Sequence, residues 1–147
     1  MIQRAARSLA VLLLFAVGCS LPARDFGDYL GKATEAADET ISEAETTLLA
    51  SRLWLRGRLF GNSLAVQLED AERAAGDAVD GFASVLPPDH RSEALRADLV
   101  PLLDETADLI SRLRFAVRHA DVARFRDLGA DLRRAARRLE TWAAQHG

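Results

Sequence analysis

Four stretches of this chain repeat apolar or small residues at alternating spacings of three and four, and short breaks separate them. That spacing lines the repeating side chains along one stripe of a 3.6-residue turn, so each stretch is predicted to be a helix buried on one face. The first covers about 25–56, with Phe26, Leu30, Ala33, Ala37, Ile41, Ala44, Leu48, Ser51 and Leu55 on its stripe. Gly57 and Gly61 stop it, and Ser63 is the expected N-cap of the second, over 63–86. The second stripe is Leu64, Leu68, Ala71, Ala75, Ala78, Phe82 and Val85, and Pro87-Pro88 ends it because neither proline can donate a helical hydrogen bond. Asp89 is positioned to cap the third, over 90–119, with Leu95, Leu99, Leu102, Thr106, Leu109, Leu113, Ala116 and Ala120 inward. Pro101 lies inside that repeat without shifting its phase, which predicts one kinked helix rather than two. Asp121 caps the fourth, over 122–145, with Phe125, Leu128, Leu132, Ala135, Leu139 and Trp142 inward. A helix running on through His119-Ala120-Asp121 is the alternative at that last boundary.

Four helices joined by short links predict an all-α, up-down-up-down antiparallel four-helix bundle over 25–147. Composition agrees. The 147 residues suit one domain, and 27 Ala and 23 Leu stand against only 8 Val and 3 Ile. Asp38-Glu39-Thr40 returns as Asp104-Glu105-Thr106, and Ser51-Arg52-Leu53 as Ser111-Arg112-Leu113, but no single offset satisfies both, so the echo reads as chance.

The segment before the helices is of another kind. Arg4 and Arg7 precede an apolar run, Leu9–Val17, that small residues follow, which is the pattern of a secretory signal and too short to cross a membrane. Val17-Gly18-Cys19 resembles the lipobox of bacterial lipoproteins, with Ala16 where leucine is usual. The resemblance implies cleavage between Gly18 and Cys19, acyl chains on Cys19, a removed signal over 1–18 and a short linker over 19–24. With Leu-Arg-Gly-Arg-Leu-Phe at 55–60, Val-Leu-Pro-Pro at 85–88 and an arginine bias of 18 Arg to one Lys, the chain resembles small lipoproteins of high-G+C Gram-positive bacteria. That resemblance implies a place and no activity: the outer leaflet of the cell membrane, or the outer membrane in a host with two.

Little in the sequence points to catalysis. His90, His119 and His146 fall off the inward stripes, and the chain has no Glu-x-x-His, Cys-x-x-Cys-His, Gly-x-Ser-x-Gly or phosphate-loop pattern. One cysteine excludes an internal disulfide or multi-cysteine metal site, and the mild overall charge of −3 does not suit nucleic-acid binding. The expected protein is therefore not an enzyme and carries no cofactor. Glu35, Glu39 and Glu43 share a face of the first helix, and an antiparallel bundle is expected to pair them with Arg133, Arg134, Arg137 and Arg138 rather than with a divalent cation. Gly76 and Gly81 are expected to admit close helix packing rather than to open a ligand groove.

Topology sharpens the reading of charge. In such a bundle the first and third links share the end far from Cys19, and 48–70 with 110–127 carry eight arginines against four acids. Arg52, Trp54, Arg56, Arg58, Phe60, Arg112 and Arg118 thus form a candidate partner-binding tip, Trp and Arg being common anchors. The bland alternative is that the aromatics cap the core and the arginines are its solvated rim. The function expected is a membrane-anchored, extracytoplasmic, non-catalytic binding or structural module that engages an envelope protein or anionic polymer through this tip. The alternative is a sensor-type bundle holding a small apolar ligand or a metal in its core.

Overall fold

The computed structural model describes residues 22–147; the signal segment, the Gly18–Cys19 junction and Cys19 itself lie outside the described residues. Each helix starts where a side chain or the chain direction supplies a cap. Helix α1 (Phe26–Leu55) begins at Asp25, whose carboxylate accepts from the Asp28 N–H at 2.9 Å. Helix α3 (His90–Arg118) begins at Asp89, which accepts from both the N–H and the hydroxyl of Ser92 at 2.8 Å. Those bonds hold the Asp89 carboxyl below its usual value. Helix α4 (Val122–His146) begins at Asp121, which accepts from the Arg124 N–H at 3.0 Å. Helix α2 (Gly61–Ala83) is the exception, since its N-cap is Phe60 and no side chain caps it. Ser63 is not the cap expected of it. It lies inside the first turn, and its N–H is taken by Asn62 Oδ1 at 2.9 Å. The chain leaves α1 extended at Phe60 and can turn directly into helix at Gly61, two residues earlier than the serine.

Two helices end in the same motif. Arg58 N–H reaches Leu53 O at 2.8 Å and Gly57 N–H reaches Trp54 O at 2.9 Å, a Schellman turn with Gly57 at φ +69°. At the end of α3, Asp121 N–H reaches Ala116 O at 3.0 Å and Ala120 N–H reaches Val117 O at 3.1 Å. Here the left-handed position, φ +54°, is held by Ala120. That turn separates α3 from α4 and leaves Ala120 exposed rather than inward. Helix α2 closes at Ala83, before its expected end at Leu86, because the residue ahead of Pro87 is steered out of helix. Arg96 holds the unwound strand from α3, its guanidinium donating to Val85 O at 3.0 Å and Ala83 O at 2.6 Å. Pro101 sits within a continuous α3 and faces solvent, so water can satisfy the carbonyl it leaves unpaired.

The four helices form an antiparallel bundle in which α1 packs on α2 and α4, and α3 packs on α2 and α4. Helices α1 and α3 also touch across the diagonal, whereas α2 and α4 do not meet. The buried face of α1 explains the asymmetry: Ala33, Ala36, Ala37, Thr40, Ala44, Thr47, Ala50 and Ser51 are all small, with Tyr29 at one end. Small side chains let a third helix approach the same face. For that reason the larger members of the expected stripe, Phe26, Leu30, Ile41 and Leu48, stand half-buried at its margin, and Leu55 is exposed. In α3 the inward leucine is Leu103, with Leu102 half-buried beside it. The stripes of α2 and α4 are buried as expected.

The core has two clusters. One, toward the α1–α2 and α3–α4 links, joins Leu64, Leu68, Ile110, Leu113, Phe125 and Leu132. The other, toward the chain's entry and the α2–α3 link, joins Tyr29, Phe82, Val85, Leu99, Leu139 and Trp142, and it takes in Ala23. None of the helices among the described residues is long and apolar enough to cross a membrane.

Candidate functional site

The two Schellman turns bring the α1–α2 and α3–α4 links to one end of the bundle. Trp54 seals the core there, edge-on to Phe125 with ring centroids 4.8 Å apart. This is the capping role, so Trp54 is not a free anchor. Phe60 is the opposite case: an N-cap residue whose ring has no acceptor to offer the helix N–H groups, it is 81% exposed.

The arginines divide in the same way. Arg118 pairs with Glu69 at 3.0 Å and Arg114 with Glu72, tying α3 to α2, while Arg112 pairs with Asp108 on its own helix at 3.3 Å. Burial pushes the Glu72 carboxyl up, but the hydrogen bonds from Arg114 and Ser111 and the charges of Arg114 and Arg118 outweigh it and leave Glu72 below its usual value. Arg56, Arg58, Arg124 and Arg126 are exposed and take no part in an ion pair among the described residues. Arg52 lies lower on the bundle, in the groove between α1 and α4 beside Glu45, Arg133 and Arg137. The structure thus gathers Arg56, Arg58 and Phe60 on one link, sets Arg112 and Arg118 into ion pairs, packs Trp54 against the core, and leaves Arg52 exposed one turn before Arg56 at the edge of the α1–α4 groove.

One feature of this end escaped the sequence. Phe115 is 64% exposed and stacks on His119 at 4.0 Å, and His119 Nδ1 lies 2.8 Å from Phe115 O. With Arg112, Asp121 and Arg124 the pair borders a cleft of about 220 Å³ across the α3–α4 turn. The available signal was an aromatic residue off the helical stripe, four residues before a histidine at the helix end.

The expected pairing of α1 acids with α4 arginines does not occur among the described residues. Arg134 pairs with Asp131 and Arg138 with Glu105 of α3. The groove shared by α1 and α4 sets residues 42–52 level with 133–140, so Glu35 and Glu39 lie level with the end of α4, past its arginines. Glu39 and Glu43 instead border a groove with Asp77 of α2. Burial there, with Asp70 and Glu39 nearby, pushes the Glu43 carboxyl up. No cluster of three or more His, Asp or Glu side chains among the described residues is arranged to hold a metal ion.

Gly76 and Gly81 also differ from expectation. A Cβ added at either would meet nothing within 4 Å, so neither serves a close helix contact. Compared with known protein families, curated proteins and solved structures, the chain matches none.

Proposed function

We propose that this protein is a lipid-anchored, extracytoplasmic helical module that binds an anionic partner through the end of the bundle opposite its anchor. The reading joins a sequence resemblance, the lipobox at Val17-Gly18-Cys19, to one structural observation. That observation is the division of the tip arginines: Arg112, Arg114 and Arg118 pair with carboxylates, while Arg56 and Arg58 stand exposed on the same link as an exposed Phe60, and Arg124 and Arg126 stand exposed at the start of α4. An arginine held in an internal pair is already neutralised. Unpaired guanidiniums beside an apolar ring are instead the combination that anchors a carboxylate- or phosphate-bearing partner. The module acts by binding, with the bundle serving as a rigid spacer of about 45 Å, the length of a 30-residue α1.

The test is in-cell photo-crosslinking from position 60 in the lipidated protein, followed by identification of what is captured. Arg56→Glu with Arg58→Glu should abolish capture, and raising the salt concentration should weaken it in the parent, since exposed charges are screened over about 8–10 Å at physiological ionic strength. Undiminished capture by the charge-reversed protein overturns the tip reading. Normal acyl labelling of Cys19→Ala overturns the anchor reading independently.

A further inference from the structure

The entry end of the bundle carries an exposed apolar residue that the tip reading does not use. Leu86 is 69% exposed in the link Ser84–Asp89, between a buried Val85 and Pro87-Pro88. Its exposure is built in. Arg96 fixes the strand on one side through Val85 O and Ala83 O, the prolines stiffen it on the other, and Asp89 then caps α3. Leu86 is thus the exposed large apolar side chain of a constrained loop.

What faces this loop follows from the length of chain before it. Ala23 is buried in the same cluster as Val85, Phe82 and Leu95, so the polypeptide is pinned to the entry end from that residue onward. Only Ser20, Leu21 and Pro22 separate Ala23 from Cys19. Four residue steps reach at most about 14 Å when fully extended. If Cys19 carries acyl chains, the lipid surface lies no farther than that from Ala23, and Val85 brings Leu86 to the same end. The charges nearby lean acidic, with Asp25, Asp28, Asp89 and Glu93 against Arg24 and Arg91, so they do not call for an anionic lipid. Arg91 also rests over the Phe26 ring at 3.7 Å rather than reaching outward.

We propose that Leu86 and its proline-stiffened link form a second membrane contact, seated in the interfacial region of the bilayer, which sets the bundle on its entry end with the Arg56–Phe60 tip directed away from the lipid. This rests on the anchor reading at Cys19 and adds to it an orientation, which attachment at one residue alone would not supply.

The experiment uses the mature lipidated chain, from Cys19 onward, in phosphatidylcholine vesicles. Lipid attachment consumes the thiol of the chain's single cysteine, so a cysteine introduced as Leu86→Cys is labelled alone with an environment-sensitive fluorophore. A matched Phe60→Cys protein reports the tip. The Leu86 probe should shift its emission to the blue on reconstitution and be quenched by spin-labelled lipids several-fold more than the Phe60 probe. Equal, weak quenching at both positions in vesicle-bound protein overturns the second contact and leaves the anchor standing. A blue shift without lipid quenching overturns it too, and identifies a protein surface or second copy as the occupant. Failure to float with vesicles, with no acyl mass on Cys19, overturns the anchor reading and this inference with it.

Discussion

Two residue types stand in each other's places in this fold, and exchanging them is a sensitive test of the backbone description. Gly76 and Gly81 lie inside α2, where a glycine costs up to about 1 kcal/mol relative to alanine, and a Cβ at either position meets nothing within 4 Å. Ala120 occupies the left-handed position of the α3–α4 turn at φ +54°, where a non-glycine residue costs roughly 1–2 kcal/mol. Part of that gain is returned because glycine has more freedom in the unfolded chain, leaving about 0.5–1 kcal/mol for Ala120→Gly. Gly76→Ala, Gly81→Ala and Ala120→Gly together should therefore stabilise the protein by about 2–3 kcal/mol, since the sites share no partners and should be additive. A chain of this size unfolds with an entropy that makes 1 kcal/mol worth roughly 4 °C, so the triple variant should melt about 8–12 °C higher. Thermal and urea denaturation followed by circular dichroism measure this, with an unchanged m value expected. A lower melting temperature for Gly76→Ala or Gly81→Ala would show that a neighbouring helix needs the missing Cβ and would refute the packing described for α2. Destabilisation by Ala120→Gly would refute the left-handed turn.

Arg96→Met keeps the stem's packing but removes the donor to Val85 O and Ala83 O; it should cost about 1.5–3 kcal/mol and make residues 84–88 the first site of limited proteolysis. Proteolysis starting elsewhere would deny Arg96 its clamping role. Glu43→Gln tests a sign. Burial, Asp70 and Glu39 raise the Glu43 pKa, so the folded protein holds that proton more tightly than the unfolded chain does. The penalty from a charged Glu43 is thus present above the raised pKa and fades as pH falls through it. Glu43→Gln should be more stable than the parent by a few tenths of a kcal/mol at pH 7, and the difference should vanish below about pH 4. An advantage that grows on acidification contradicts the assignment.

How far the fold was legible follows the size of the side chains. The stripes of α2 and α4 and the caps Asp89 and Asp121 could be read directly, because each helix there packs large residues from one side. In α1 the expected stripe mixed Phe26, Leu30, Ile41, Leu48 and Leu55 with Ala33, Ala37, Ala44 and Ser51, and only the small members are fully buried. The contact is instead centred on alanine and threonine, because α3 reaches that face as well. Hydrophobicity alone does not report how many neighbours a face must admit. The tip was legible as a concentration of arginine, but its division into paired and unpaired groups depends on the helix register, which no local pattern encodes. Phe115 was missed for a related reason: it lies off the buried stripe, where a reading aimed at the core does not look.

The alanine-lined face of α1 has a mechanical meaning. The helix touches all three others, a position it shares with α3, and it runs without interruption from Phe26, beside the chain's entry, to Leu55 at the tip. On the proposed function, tension between a lipid anchor and a captured partner would travel along a single helix, parallel to its own hydrogen bonds. To yield, α1 must slide lengthwise past three packed surfaces at once, a shear that loads every contact together, whereas a helix at the margin of the bundle would be peeled away contact by contact. A protein pulled from both ends is strongest when the element carrying the pull is surrounded on every side, and α1 is one of the two helices so placed.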